Sequence, residues 1–467
     1  MTAGAILVAV ALTFALLPPL RGGGISRKIR FNTHGLDRSA TVELVASYVR
    51  PLARRLLAGR TPPDVDLSSP TRPGTIVSPF TNARPLRTDV VLVMLESLGA
   101  PYLEEAPGTM PFLEELTARP GGIALARHYT TWSLTTHAFV SIWCSDLPYP
   151  TQEPLSLINP GLPCRSLSEV LHDAGYATAF LTSQDLGWDR QGRFFRARKL
   201  DVLQDRHSMP GHDGAWAGAW GIDDRLTVKN ALALLHRPRD RPMFLAVGLV
   251  SGHHPYLALP EHGVADLKTR KERYLRAARA GDDRLRELVD GLVSAGRAER
   301  TLLVVASDHG EGTEGDRQGR HVYETSAWVP ALVRGPQLGG IEGRVEELTS
   351  HLDLAPTILG LVGIPQPCTM LGRDLTRPVP RSVAVLGSAP PYSQRALIDL
   401  PMKLLLEEGE APLLYDLAAD PGELQDVSSQ RADITARLVE RAEALDGAAR
   451  FRVEDYPAAL ARAGCVP

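Results

Sequence analysis

Residues 302–312, which read LLVVASDHGEG, constrain the fold more than any other stretch of this chain. The first five residues are apolar and rich in β-branched side chains, which predicts a strand buried on both faces of a parallel sheet. Asp308 and His309 follow the strand directly. Open α/β sheets place their ligand sites at the carboxyl ends of strands, so this pair is a candidate metal site. The alternative is a surface turn in which Asp308 caps the next element.

Strands and helices alternate along the rest of the sequence. Residues 90–95 (VVLVML) repeat the pattern of a buried strand and deliver Glu96 to its carboxyl end. Polar residues recur just after the predicted strands, as they do along the ligand-binding edge of a doubly wound sheet. The fold class is therefore α/β, a doubly wound, mostly parallel sheet flanked by helices, with a small C-terminal α+β subdomain. Other predicted elements are strands at 177–182, 242–250 and 328–333, helices at 164–174, 224–235 and 352–361, and a helical stretch at 266–296 that breaks near Gly281.

Composition narrows the function classes. The net charge of −3 over 467 residues argues neither for nucleic acid nor for a polyanionic partner, and no nucleic-acid partner is expected. None of the four cysteines has CxxC spacing, which makes a zinc knuckle unlikely, and pairing between them requires an oxidising compartment. The sequence leaves the oligomeric state open.

The amino-terminal region suggests a membrane anchor. Residues 3–20 carry no charge, which is just enough length for a helix to span a bilayer. A signal peptide is the rival interpretation, although the basic n-region and a clear cleavage site are lacking. The expected organisation is a transmembrane segment at 1–20, a juxtamembrane helix and linker at 21–88, a catalytic domain at 89–375 and a C-terminal subdomain at 376–467.

Four side chains from separate strand or helix ends form the candidate site: Glu96, Thr135, Asp308 and His309. Either Thr135 or Thr136 begins the helix predicted at 138–143, where a hydroxyl is most often only a cap. Oxygen and nitrogen ligands of this kind suit manganese, zinc or magnesium. A bound divalent cation would lower the pKa of a threonine hydroxyl and make it a nucleophile. His253 and His321 are candidates for binding an anionic substrate or for protonating a leaving group.

With these motifs in order, the chain resembles the alkaline phosphatase/sulfatase superfamily, and more narrowly its lipoteichoic acid synthase and phosphoglycerol transferase branch. The resemblance covers roughly residues 89–430. It lies in the single glutamate of LESLG, in Thr135, in SDHG at 307–310, in SGHHPY at 251–256 and in WDR at 188–190. The arylsulfatase nucleophile motif, Cys-x-Pro-x-Arg, is missing, which favours phosphoryl chemistry over removal of sulfate.

The resemblance implies a role for each site residue. Thr135 is the nucleophile, chosen over Thr136 by alignment. Glu96, Thr135, Asp308 and His309 bind one divalent metal, with Mn²⁺ as first choice and Zn²⁺ or Mg²⁺ as alternatives. The residues expected to contact the substrate are His253, Trp188, Arg190 and His321. A disulfide between Cys144 and Cys164 is also implied.

The implied function is a membrane-anchored, metal-dependent phosphoryl transferase that acts on a lipid headgroup phosphodiester of the phosphoglycerol type. The implied location is the cell membrane, with the catalytic domain outside the cytoplasm. The first alternative is a hydrolase of phosphate, phosphonate or sulfate esters from the same superfamily. The second is a membrane-tethered binding module that no longer catalyses a reaction.

Overall fold

The computed structural model describes residues 65–148, 162–237, 240–256, 267–313, 321–388, 394–454 and 465. All of them belong to one compact unit, Asp64–Pro467. The transmembrane segment expected at 1–20, and most of the expected juxtamembrane region, lie outside the described residues. In the part of the chain that is described, no helix combines the length and the apolarity needed to cross a membrane.

An eight-stranded mixed sheet forms the centre of the molecule, with the strand order β5-β4-β6-β2-β7-β8-β3-β9. All neighbouring pairs are parallel except those that β8 makes with β7 and β3. The predicted doubly wound α/β class is thereby confirmed. Numbered in chain order after a short β1 (Thr75–Ile76), the strands are β2 (Asp89–Leu95), β3 (Gly122–Tyr129), β4 (Ala177–Thr182), β5 (Val202–Gln204), β6 (Met243–Gly248), β7 (Thr301–Ser307), β8 (Ala331–Arg334) and β9 (Gly343–Ser350).

The central strands are apolar throughout because both of their faces are covered. In β2, Val90 and Leu92 pack into one hydrophobic core, while Val91 and Val93 pack into a second core on the opposite face. Successive side chains of a strand point to opposite faces, so a strand between two layers of helices needs apolar residues at every position. This is why β2 and β7 are uninterrupted apolar runs in the sequence.

Helices cover both faces of the sheet. They are α1 (Ala100–Glu105), α2 (Pro111–Ala118), α3 (Thr135–Cys144), α4 (Leu167–Asp173), α5 (Gln191–Arg196), α6 (Asp224–His236), α7 (Arg270–Ser294), α8 (Glu324–Ala327), α9 (Leu354–Leu361) and α10 (Ala432–Glu454). Side chains of α3, α4, α5 and α9 enter the first core. Side chains of α2, α6 and α7 enter the second core.

The break predicted near Gly281 is wrong, because α7 continues through this glycine. Glycine costs a helix only about 1 kcal/mol relative to alanine, which tertiary packing readily exceeds. Leu285 and Leu288 on the same helix are buried in the second core. Asp282 accepts hydrogen bonds from Phe112 N (2.8 Å) and Leu113 N (2.9 Å), and so binds the first turn of α2 to the middle of α7.

A four-stranded antiparallel sheet forms the carboxyl-terminal part, which confirms the expected small subdomain. Its strands are β11 (Ala384–Gly387), β12 (Arg395–Asp399), β13 (Met402–Leu406) and β14 (Leu413–Asp416), and β10 (Val379–Pro380) pairs with β1 just before them. Leu438 and Leu445 of α10 pack on this sheet.

The described part of the expected linker lies against the carboxyl-terminal part. Ser69 Oγ donates to Asp399 Oδ1 (2.6 Å), and Val383 N donates to Leu67 O (2.8 Å). These contacts fix an otherwise irregular stretch of chain. The exact boundaries expected at residues 88 and 375 stay predictions.

Two disulfides cross-link the chain. Cys144 at the end of α3 pairs with Cys164, as the resemblance implies, with their Cα atoms 5.8 Å apart. Cys368 pairs with Cys465, a bond that the sequence analysis did not predict. All four cysteines of the chain are therefore bonded.

Candidate metal centre

The parallel pairing of β2 with β7 builds the candidate site. Leu95 lies opposite Ser307 in this register, so the residues that follow both strands emerge at the same edge of the sheet. Glu96, Asp308 and His309 meet there, each offering one ligand atom within 4.8 Å of the others. All three are buried. The structure thus brings together three of the four predicted metal ligands.

Each carboxylate directs one oxygen towards the cluster. Asp308 Oδ1 accepts from Ser97 N (2.9 Å) and His309 N (2.8 Å), whereas Asp308 Oδ2 is buried and accepts no hydrogen bond. Glu96 Oε2 accepts a hydrogen bond from Gln184 Nε2, and Oε1, which faces His309, accepts from Ser97 Oγ (2.8 Å). A buried carboxylate oxygen without a donor calls for a cation.

The imidazole of His309 is oriented as a ligand. Its Nδ1 lies 2.9 Å from the Gly310 carbonyl oxygen, which can only accept, so Nδ1 carries the proton. The Nε2 lone pair then points at Asp308 Oδ2 (3.5 Å) and Glu96 Oε1 (3.7 Å). Metal-ligating histidines usually donate their second ring nitrogen in this way.

The electrostatics of the cluster also fit a cation. Burial raises the pKa of Glu96 well above its usual range, and the nearby Asp308 carboxylate raises it further. Two buried carboxylates at this separation repel each other unless a positive charge lies between them. The donor set of two carboxylates and one imidazole therefore fits a divalent cation such as Mn²⁺, Zn²⁺ or Mg²⁺.

The contacts of the two threonines distinguish them. Thr135, the first residue of α3, has its Oγ1 3.3 Å from His309 Nε2 and 3.4 Å from Glu96 Oε1. Thr136 Oγ1 instead donates to Asp189 Oδ2 (2.8 Å) and accepts from Gln191 Nε2 (2.9 Å). Only Thr135 presents its hydroxyl to the cluster, and it does so at a helix N-terminus, where developing negative charge is favoured.

An aromatic stack lies beside this cluster and includes two of the predicted substrate residues. The rings of Trp188 and Trp220 are 4.8 Å apart, and those of Trp220 and His253 are 4.4 Å apart. Trp188 is 52% exposed, and Arg190 two residues later is also exposed. Asp189 and Arg190 have φ angles of 48° and 54°, a left-handed conformation that is uncommon for non-glycine residues and that Asp tolerates better than most.

The loop that carries His253 reaches the metal cluster through a close backbone contact. A Cβ atom on Gly252 would collide with the carbonyl oxygen of Glu96, so only glycine allows this approach. His253 Nδ1 lies 2.7 Å from the His254 carbonyl oxygen. The proton is therefore on Nδ1, and Nε2 carries the lone pair of the neutral ring.

His321 is placed differently from the other predicted substrate residues. It is buried, its Nδ1 lies 3.3 Å from Gln394 Oε1, and its ring is 5.8 Å from that of Tyr323. These neighbours place it at the border with the four-stranded sheet. Its contact with substrate stays a prediction.

The sequence analysis did not assign roles to Gln184 and Trp220. Gln184 follows β4 just as Glu96 follows β2, so its position after a buried strand was the available signal. Trp220 lies between Trp188 and His253 in the stack, and its WGID context before α6 was the only sign of a special position.

The family model for sulfatases matches residues 88–364, which include every residue of the cluster and of the stack. The chain belongs to the sulfatase family. The expected membership of the alkaline phosphatase/sulfatase superfamily is thus confirmed.

Curated relatives include both transferases and sulfatases. Phosphoglycerol transferase I of Xanthomonas euvesicatoria pv. vesicatoria is 26% identical over 246 residues, which are 48% of this chain and 34% of that protein. Arylsulfatase K of Bos taurus is 28% identical over 199 residues, 37% of this chain and 36% of that protein. The chain thus spans about a third of the length of these relatives. The uncharacterized sulfatase YidJ of Escherichia coli is 25% identical over 357 residues, 60% of this chain and 71% of that protein.

Solved structures share the fold. A protein in the alkaline phosphatase superfamily from Vibrio parahaemolyticus superposes with a TM-score of 0.65 at 21% identity, over 86% of this chain and 94% of that one. The lipoteichoic acid synthase LtaP from Listeria monocytogenes also gives 0.65, at 17% identity, over 80% of this chain and 97% of that one.

Proposed function

We propose that this protein is a metal-dependent phosphoryl transferase that cleaves a phosphodiester, with Thr135 as its nucleophile. The position of the Thr135 hydroxyl is the observation that carries the proposal. It lies within 3.4 Å of two members of a buried Glu96, Asp308 and His309 cluster, at the start of a helix. These residues would hold a divalent cation, which would supply positive charge that stabilises an anionic nucleophile and the phosphoryl group.

Phosphoryl rather than sulfate transfer is favoured by the nucleophile. All four cysteines are committed to disulfides, and Thr135 stands at the N-terminus of α3 beside the cluster. The match to phosphoglycerol transferases supports a phosphodiester of the phosphoglycerol type, such as a lipid headgroup. Trp188, Arg190, His253 and His321 are proposed to hold it, the arginine by pairing with phosphate oxygens.

The reaction proceeds in two displacements. Thr135 Oγ attacks phosphorus and loses its proton to water, while the bond from phosphorus to the leaving alcohol oxygen breaks. That oxygen takes up a proton, for which the imidazolium form of His253, protonated on both ring nitrogens, is the proposed donor through Nε2. An acceptor hydroxyl or water then attacks the phosphothreonine, and Thr135 Oγ is protonated again as it leaves.

Replacement of each threonine tests the proposal. We expect Thr135→Ala to abolish turnover of a phosphoglycerol lipid while leaving the thermal unfolding temperature close to that of the wild type. Thr136→Val is the matched control on the next residue of the same helix. It is expected to form the phosphothreonine intermediate at saturating lipid, with a raised KM because Thr136 Oγ1 no longer donates to Asp189. Mass spectrometry of protein quenched with the lipid donor detects that intermediate. Full activity of Thr135→Ala would contradict the assignment.

A second experiment separates transfer from hydrolysis. The chain is incubated with a phosphoglycerol lipid, with and without a sugar or glycerol acceptor, and the products are separated. A product that carries phosphoglycerol on the acceptor supports a transferase. Release of free glycerol phosphate at the same rate under both conditions would instead support the hydrolase alternative, to which the arylsulfatase relatives also point.

We further propose that residues 1–20 anchor the protein in the cell membrane and that the catalytic domain lies outside the cytoplasm. Two disulfides support this location, because such bonds persist in oxidising compartments. Protease added to intact spheroplasts should digest the catalytic domain. Protection of the domain until the membrane is lysed would contradict the proposed orientation.

A further inference from the structure

Lys403 of β13 is fully buried within an ionic cluster that joins the four-stranded sheet to the catalytic part. Its Nζ lies 2.9 Å from Glu324 Oε1 and 2.8 Å from Glu423 Oε1. Glu423 Oε2 in turn accepts a hydrogen bond from Glu324 N (2.7 Å), and Tyr129 OH donates to Glu324 Oε2 (3.0 Å). Burying a lysine charge costs free energy unless the charge is paired. Movement of Glu324 away from Lys403 is therefore unfavourable, and these contacts hold Glu324 in place.

Glu324 is the first residue of α8, the short helix that lies between the two loops bearing the metal ligands. From the Asp308 loop, Gly310 N donates to Ser326 O (2.9 Å). From the Glu96 loop, Ala100 N donates to Trp328 O (2.9 Å). Cβ atoms on Gly99 or Gly310 would both collide with the carbonyl oxygen of Thr325, so the two loops pack tightly against the same residue.

A continuous set of contacts therefore leads from Lys403 to the imidazole of His309. Lys403 binds Glu324 at the start of α8, and Ser326 in the same helix accepts from Gly310 N. The Gly310 carbonyl then accepts from His309 Nδ1 and so sets the direction of Nε2. Any shift of α8 would rotate this ring away from Glu96 and Asp308.

We infer that Lys403 is a positioning residue for the metal centre, through which the carboxyl-terminal sheet sets the geometry of His309. The inference rests on the proposed function, because it takes the Glu96, Asp308 and His309 cluster to be a metal site. It gives the carboxyl-terminal part a role in metal affinity, although this part is far from the metal ligands in the sequence. Loss of groups that orient a metal ligand typically weakens metal binding by about 10–100-fold.

The test measures Mn²⁺ binding by calorimetry on chelator-stripped, full-length protein. Lys403→Met, which keeps most of the side-chain volume, is expected to raise the Kd for Mn²⁺ by at least about tenfold. Arg297→Met is the matched control. It breaks another ion pair, from half-buried Arg297 Nη1 to buried Asp89 Oδ2 (2.6 Å), at the opposite end of β2. It should lower the unfolding temperature and leave the Kd for Mn²⁺ unchanged.

A triple variant covers the case in which Lys403→Met does not fold. Lys403→Met with Glu324→Gln and Glu423→Gln removes all three charges of the cluster, so none is left unpaired in the core. It is expected to fold and to bind Mn²⁺ more weakly than the wild type. Either variant binding Mn²⁺ as tightly as Arg297→Met would overturn the inference. No Mn²⁺ binding by the wild type would instead contradict the proposed metal centre itself.

Discussion

At the scale of single residues, the orientation of Glu96 depends on Gln184. The amide of Gln184 donates to Glu96 Oε2, which fixes the carboxylate so that Oε1 faces His309. We expect Gln184→Ala to weaken Mn²⁺ binding by about tenfold, because the carboxylate then loses its donor on Oε2 and is held only through Oε1 by Ser97 Oγ (2.8 Å). Calorimetric titration of chelator-stripped protein measures this change.

Gln337→Ala is the control for that prediction. Gln337 is buried, and its amide donates to a backbone oxygen, Leu86 O (3.0 Å), away from the cluster. Equal Kd values for the two variants would show that Gln184 has no special role.

The sequence predicted Glu96, Asp308 and His309 as ligands because they lie directly after apolar strands. Gln184 also lies just after an apolar strand, but nothing in the sequence shows that its amide contacts Glu96, 88 positions away.

At the scale of structural elements, the loop that carries Trp188 and Arg190 is held against the start of α3. Asp189 accepts the hydrogen bond from Thr136 Oγ1 (2.8 Å) while its own backbone has a φ of 48°. Asp189→Ala removes the acceptor and puts alanine in a conformation it rarely adopts. We expect the KM for a phosphoglycerol lipid to rise about tenfold, equivalent to about 1.4 kcal/mol.

Asp189→Asn separates loop geometry from other effects. Asparagine keeps an acceptor oxygen and tolerates positive φ, so this variant should have a KM close to that of the wild type. The Kd for Mn²⁺ should be unchanged in both variants, since neither contacts the metal ligands. A wild-type KM for Asp189→Ala would mean that the loop does not bind the headgroup.

The predicted elements were reliable where apolar runs are long. Strands 177–182 and 302–306 were found to within a residue, because burial on both faces demands an unbroken apolar sequence. The edge strand β9 was missed. Its sequence GRVEELTS mixes charged and apolar residues because half of its positions face solvent. The position of α8 between the ligand loops was equally hidden, since glycine contacts and the Lys403 ion pair form only in the folded chain.

At the scale of the whole molecule, two buried histidines link stability to pH. His128 and His351 are fully buried with their rings 5.3 Å apart, and burial lowers the pKa of each to about 3. In the unfolded chain each has an ordinary pKa of about 6.5. The unfolded state therefore binds more protons between pH 6.5 and 3, and stability falls as the pH falls through this window.

Between pH 7 and pH 5, each of these histidines should reduce the free energy of unfolding by about 2 kcal/mol. We expect His128→Gln to remove one such contribution, because glutamine does not titrate and still reaches the Thr349 hydroxyl that lies 2.9 Å from His128 Nδ1. Urea unfolding of chelator-stripped protein at both pH values measures the difference. His236→Gln, at the exposed end of α6, should keep the wild-type difference. If His128→Gln also keeps the wild-type difference in unfolding free energy, His128 is protonated in the native core at pH 5. The packing of β3 would then have to accommodate that charge.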